Sequence, residues 1–301
     1  MTFSSQENLK MEWKTRVTDL LGCKYPILQG AFGLYGTWQF AACVADTGAF
    51  GTITASNSKT PNELRTAILN CRKATNGKFG VNLTIGNCPR IEDMLEVCIA
   101  EIIPVETSLD KPDGLAPRIK QAGLTWIHKA ARVKDAVHAQ DAGADAIILV
   151  GLEGTGRKSP EQLPTMTTII WGSRQIKVPL IAAGGIGDAR GLLAALGMGA
   201  DGIMMGTAFM ATKECPISDS AKDTIVKTGP DSPKLRQQVM MTGGWKIPVS
   251  TKPLPEAGRP QSISFAAGVI DSVPTVRELV DGIIRDAESI LNGWQFLKKE
   301  Q

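Results

Sequence analysis

Two stretches, Ile181-Ala182-Ala183-Gly184-Gly185-Ile186-Gly187-Asp188 and Gly199-Ala200-Asp201-Gly202-Ile203-Met204-Met205-Gly206-Thr207, carry the reading of the fold. Each holds a short apolar run ending in glycine, the form of a strand entering a βα turn. Glycines there let backbone N–H groups approach an anion, and a helix N-terminus adds partial positive charge. The loops after the seventh and eighth strands of a (β/α)8 barrel often form a phosphate site in this way. Tight βα turns without a ligand use the same glycines.

Counting outward makes these two runs the seventh and eighth. Strands are expected at 26–29, 51–54, 79–83, 103–106, 125–128, 146–150, 178–182 and 202–205, most of them apolar throughout, as strands buried on both faces are. Amphipathic stretches separate them. In 61–75, Leu64, Ile68, Leu69 and Cys71 fall near helical spacing, while Arg65, Arg72 and Lys73 can face water. Eight such units in residues 1–212 predict an α/β fold, a (β/α)8 TIM barrel, because an open doubly wound sheet usually stops near about six strands.

After Thr212 the rhythm breaks. Pro216, Pro230, Pro233, Pro248, Pro253 and Pro255, with Gly229, Gly243 and Gly244, predict an irregular, partly helical insert over 213–274, a candidate substrate cap. Residues 275–301 predict a closing C-terminal helix, reaching about Leu297 and packing back on the barrel. Its stripe is Val276, Leu279, Val280, Ile283, Ile284, Ala287 and Leu291, with Pro274 near the first turn.

Composition narrows the partners. The 301 residues are 43% hydrophobic and 21% charged, which excludes disorder. A net charge of +3 without basic blocks argues against nucleic acid. No apolar run approaches the ~20 residues a bilayer requires, and residues 1–20 lack the apolar core of a secretory signal. A cytoplasmic protein with a small-molecule substrate is therefore expected, and a homo-oligomer is left open. Cys23, Cys43, Cys71, Cys88, Cys98 and Cys215 show neither a C-x-x-C pair nor metal-finger spacing, so no metal is expected.

Several separated motifs then occur in order. They are Tyr25-Pro26-Ile27-Leu28-Gln29-Gly30-Ala31-Phe32, Phe79-Gly80-Val81-Asn82-Leu83-Thr84, Ile127-His128-Lys129, Gly151-Leu152-Glu153-Gly154-Thr155-Gly156, the Ala-Gly-Gly segment, and Met205-Gly206-Thr207-Ala208-Phe209. Together they resemble the FMN-dependent nitronate monooxygenase family, with its related NAD(P)H:quinone reductases and flavin enoyl-reductases. The resemblance implies bound FMN and NAD(P)H as a candidate electron donor. It places Ala31 at a backbone contact to the flavin ring, Asn82 as a ring-binding amide and Lys129 as a cation beside the pyrimidine. It puts Gly184, Gly185, Gly206 and Thr207 in the phosphate cradle, and Thr155 and Gly156 in a loop close to the flavin. A fixed ammonium near N1 and O2 stabilises the reduced ring.

One departure stands out. Where the family keeps a Gly-His pair, this chain has Gly156-Arg157-Lys158. Arg157 cannot accept a proton but can hold an anion or oxyanion, and Lys158 becomes a base only if desolvated. Arg157 and Lys158 are the candidate catalytic residues. His128 precedes Lys129 in a strand and points away from it, and His138 falls in the next helix, so both read as structural. Glu153 reads either as a ligand-orienting carboxylate or as an exposed loop residue. The implied activity is nitronate monooxygenation, with quinone or enoyl-thioester reduction, or flavin binding without turnover, as alternatives. A flavin-free barrel of the inosine-monophosphate-dehydrogenase or phosphosugar type shares the Gly-Gly-Ile-x-x-Asp stretch, but the dehydrogenase needs a nucleophilic Cys that residues 151–160 lack.

Overall fold

The computed structural model describes residues 12–156, 159–241 and 263–294. Its strands are β1 Ile27–Gln29, β2 Gly51–Thr54, β3 Phe79–Thr84, β4 Val105–Ser108, β5 Trp126–Ala130, β6 Ala146–Val150, β7 Leu180–Ala183 and β8 Gly202–Met205. They are all parallel, in the order β1-β8-β7-β6-β5-β4-β3-β2. The two ends of that order meet at one bridge, Leu28 to Phe50, which brings the sheet round into a barrel. There Phe50 N–H donates to Ile27 O and Gln29 N–H donates to Phe50 O, both at 2.9 Å.

Beyond that bridge a side chain continues the seam. Gln29 Oε1 accepts from Thr52 N–H at 3.1 Å, and Gln29 Nε2 donates to Thr52 O at 3.3 Å. One carboxamide thus supplies the donor and acceptor of a missing peptide group. Gln29 is fully buried, so water offers these groups no substitute.

The register sorts side chains into rows. Thr54, Asn82, Glu106 and Ile127 are paired across neighbouring strands, as are Thr84, Ser108, Lys129, Ile148 and Ile181. Strand alternation turns both rows into the barrel, while Val81, Leu83, Val105, Ile147 and Leu149 face the helices. Leu28, Ile127, Ile148, Ile181 and Met204 form one interior cluster with Val17 and Leu21 of the helix Arg16–Leu21, which seals the N-terminal end. The interior is therefore polar on β2 to β5 and apolar on β6 to β8 and β1.

Strand positions at 51–54, 146–150 and 202–205 are as expected from the sequence. The strand expected at 103–106 instead runs Val105–Ser108, since Pro104 lacks the N–H that a ladder needs and contributes only its carbonyl, to Val81 N–H at 2.9 Å. β5 runs on to Ala130 and so takes Lys129 into the strand. In the helix Pro61–Ala74, Thr60 caps Glu63 N–H, and Leu64, Ile68 and Cys71 are buried, but Leu69 is on the exposed side. The last helix is Val276–Gly293, shorter than expected: Trp294 already leaves helical geometry at ψ 116°. Its N-cap is Thr275 in a capping box with Glu278, and Pro274 lies just outside it. Val276, Val280, Ile283, Ile284 and Ala287 are buried, while Leu291 is exposed. This helix packs against Ala189–Gly197 and Trp38–Ala45.

Within 213–274 the described residues form the helices Asp219–Lys227 and Pro233–Met241 and a short 3-10 helix, Phe265–Val269. Among the described residues, no helix is long and apolar enough to cross a membrane, and no group of His, Cys, Asp and Glu is placed to hold a metal.

Replacing Gln29 with Leu keeps bulk at the seam but strands Thr52 N–H and C=O without partners, at about 1–3 kcal/mol for each buried group. Urea unfolding of Gln29→Leu should show a clearly lowered midpoint with an unchanged slope. A midpoint equal to wild type would mean that the carboxamide does not hold the seam.

Candidate functional site

The strand register brings Asn82, Glu106, Ser108, Thr84 and Lys129 together inside the barrel, near the C-terminal ends of β3, β4 and β5. Asn82 Nδ2 donates to Glu106 Oε1 at 2.9 Å and to Ser108 Oγ at 3.1 Å. Asn82 Oδ1 accepts from Thr84 Oγ1 at 2.6 Å. Both amide protons are thereby used, and the one capacity left on Asn82 is a lone pair on Oδ1. Toward any ligand, Asn82 is an acceptor.

Glu106 is 4% exposed, and burial pushes its carboxyl up to about 7, partly offset by the charge of Lys129 and the bond from Asn82. Burial lowers the Lys129 pKa from its ordinary value, and the charge of Glu106 works against that fall. The Lys129 ammonium has no hydrogen-bond or ion-pair partner among the described residues. At the end of β2, the Thr54 hydroxyl and the Asn57 carboxamide are likewise buried without partners. This wall of the barrel holds more polar capacity than the described residues satisfy.

His128 lies on the opposite side of β5. Indole N–H is only a donor, so Trp126 Nε1 gives its proton to Thr107 Oγ1 at 2.8 Å. The same Thr107 Oγ1 lies 2.8 Å from His128 Nδ1, so one hydroxyl links the indole to the imidazole. Burial lowers its pKa to about 4. His138 is exposed and pairs with Asp113. Neither histidine belongs to the barrel mouth.

The loops of the C-terminal face resolve other residues. Glu153 Oε2 accepts from Thr165 N–H at 2.7 Å and Thr165 Oγ1 at 2.6 Å, capping the start of the helix Thr165–Ser173. Its backbone carbonyl accepts from Phe265 N–H at 3.1 Å. Glu153 is a pin for the β6 loop. Thr155 is half-buried in that loop, Gly156 is exposed, and Ala31 is half-buried just after β1. Arg157 and Lys158 lie outside the described residues.

Gly184 and Gly206 look alike in sequence but not in space. Gly184 has φ +107°, and a Cβ there would stand 2.9 Å from Gly154 N, so the fold alone requires glycine. Gly185, at φ +75°, follows it in the same turn. Gly206 has φ −103°, and a Cβ there would meet nothing nearer than Phe32 Cε1 at 3.8 Å. Among the described residues nothing demands glycine at 206, and the space over it suits a ligand group that must approach the backbone. The Thr207 hydroxyl is tied to Ser264, sitting 2.8 Å from Ser264 Oγ and accepting from Ser264 N–H at 2.9 Å.

Glu106 and Ser108 escaped the sequence reading. Their signal was a Val-Glu-Thr-Ser run in which a charged residue falls at an inward position, visible only once the strand is shifted past Pro104.

Barrel enzymes keep their chemistry at the C-terminal ends of the strands, and the gathering of polar groups there assigns the chain to that class. The nitronate monooxygenase family model matches residues 14–103 and 85–243, and the chain belongs to that family of oxidoreductases. It is 34% identical over 226 residues to an octahydro-indene-carboxyl-CoA dehydrogenase of Mycobacterium tuberculosis, covering 73% of this chain and 62% of that protein. A probable nitronate monooxygenase of Staphylococcus aureus is 30% identical, covering 71% of this chain and 73% of that protein. The solved structure of FabK from Thermotoga maritima superposes with a TM-score of 0.80 at 28% identity, covering 93% of this chain and 98% of that one. The chain thus spans about three fifths of the length of the dehydrogenase.

The depressed His128 pKa has a stability consequence. The unfolded chain protonates this residue near 6.5 and the folded chain near 4, so its contribution is complete above 6.5 and is lost as pH falls toward 4. That loss is on the order of 3 kcal/mol. Between pH 7 and about pH 4.5, wild type should lose more unfolding free energy than His128→Gln. Equal losses in urea titrations would place the acid-sensitive proton elsewhere.

Proposed function

We propose that the chain is an FMN-dependent oxidoreductase that passes electron pairs to or from a small anionic or carbonyl-activated substrate, with NAD(P)H as donor when it reduces. The observation that carries this reading is Lys129, a partly buried ammonium with no hydrogen-bond partner among the described residues, beside an Asn82 restricted to accepting. A cation next to a lone acceptor complements a ring edge with an anionic or carbonyl acceptor beside an N–H, as the flavin pyrimidine has. The uncrowded backbone at Gly206 supports a phosphate on the β7 and β8 side.

FMN, when bound, supplies two-electron chemistry. In this reading the backbone of Gly184, Gly185, Gly206 and Thr207 holds its phosphate, Asn82 Oδ1 accepts from a ring N–H, and Lys129 balances negative charge. Ala31, Thr155 and Gly156 border the ring. Val150 and Ala183 are buried at the ends of β6 and β7 and line the apolar wall that excludes water.

Substrate choice follows from the missing base. Neither histidine is at the mouth, and Arg157 stays protonated, so substrates that need no deprotonation at carbon fit best. A pre-formed nitronate is one, with Arg157 and Lys158 as its anion contacts. The CoA thioester named for the Mycobacterium tuberculosis relative supports a second reading, the reduction of a quinone or enoyl thioester.

Purified protein should carry FMN, and Gly206→Val should lose most of it while keeping its unfolding midpoint. Lys129→Met should retain flavin but reduce more slowly and at a lower potential. A flavin-free wild type, or equal reduction rates with and without Lys129, would defeat the reading. In steady-state turnover, ethylnitronate should outpace neutral nitroethane by ~10²–10⁴, the usual worth of general-base catalysis, and Arg157→His should narrow the gap. Efficient wild-type turnover of nitroethane would mean that a base exists at the mouth.

A further inference from the structure

We propose that Glu106 is a redox-linked proton acceptor, taking one proton from solvent when the adjoining cofactor gains an electron pair and releasing it on reoxidation. This rests on the FMN reading above.

The argument begins with the charges inside the barrel. Glu106 and Lys129 are inward residues of adjacent strands, two positions apart in register, Glu106 buried and Lys129 partly buried. The groups that face Glu106 from the other strands carry no charge: Thr54 on β2, Asn82 and Thr84 on β3, and the apolar Ile148, Ile181 and Met204 across the barrel. Among the described residues, one carboxylate and one ammonium therefore make up the charge of this interior wall, with no direct ion pair between them. Lys129 is free of hydrogen bonds and can answer a ligand, whereas Glu106 is held by Asn82 and cannot follow it.

Adding two electrons to the ring upsets this balance. A hydride from reduced nicotinamide delivers two electrons and one proton's mass to the ring and leaves it an anion. Lys129 compensates that anion, and Glu106 is then a buried carboxylate without a counter-charge. Binding one proton from water restores neutrality. The proton adds at Oε2, because Oε1 already accepts from Asn82 Nδ2, so the amide keeps its orientation. Reoxidation by the acceptor removes the ring charge and returns the proton to solvent. Burial already brings the carboxyl to about 7, and a new negative neighbour raises it further, so the exchange falls within the working pH range.

The test is potentiometry on the FMN-loaded full chain between about pH 8 and pH 9, where the carboxyl of the oxidised protein is ionised. In wild type the midpoint potential should fall twice as steeply with pH as in Glu106→Gln, reflecting two protons per electron pair against one. Glu106→Asp keeps a carboxyl and should retain the steep slope. Redox-difference infrared spectra of wild type should show a protonated carboxyl band appearing on reduction and absent from Glu106→Gln. Should Glu106→Gln fail to hold flavin, the wild-type slope and band decide alone. A one-proton slope or no carboxyl band in flavin-loaded wild type overturns the inference and leaves the FMN reading intact. A wild type that binds no FMN overturns both.

Discussion

Closure between β1 and β2 is the constraint on which the site depends. Seven of the eight strand junctions are ordinary parallel ladders, but the eighth is a single bridge at Leu28 and Phe50, extended by the Gln29 carboxamide. An open edge there would let β2 drift from β1, and the inward rows would lose their common interior. The site residues sit on strands that share hydrogen-bonded neighbours, so their spacing is inherited from the ladder. Rigid strands, rather than loops, hold Asn82, Glu106 and Lys129.

The divided interior follows from the same geometry. Polar side chains enclosed in a barrel must find partners or leave capacity for a ligand. On β3 and β4 partners are found: Asn82 is bonded to Glu106, Ser108 and Thr84, which uses both its amide protons and one lone pair. At Lys129, Thr54 and Asn57 they are not found among the described residues. The saturated groups fix an orientation, and the unsaturated ones define what that orientation serves. The apolar strands opposite keep the effective dielectric low, so each charge there counts for more than it would in water.

How far the sequence could be read varied with the physics of each signal. Strands buried on both faces gave continuous apolar runs, and 51–54, 146–150 and 202–205 were legible to the residue. β4 was displaced by two residues because Ile103 and Pro104 look like strand while proline cannot enter the ladder, and this hid the inward aspect of Glu106. Asn82 and Lys129 were placed through family resemblance. Their environment, an amide restricted to accepting and an amine without a hydrogen-bond partner, depends on neighbours some twenty residues away that no local pattern encodes. The glycines show the same limit: Gly184 answers a packing demand and Gly206 does not, yet the letters are the same. Glu153 was ambiguous because its partner, Thr165, lies on the far side of the loop.

The hydrogen bonds between Thr207 and Ser264 join positions 57 residues apart in the chain. The excursion that leaves the barrel after β8 is thus anchored at both ends to one spot beside the β8 turn. Lengthening a loop whose ends are already tied costs entropy only as the logarithm of its length. The barrel can therefore exchange this excursion for a longer, shorter or differently shaped one without disturbing the strands or the residues they hold.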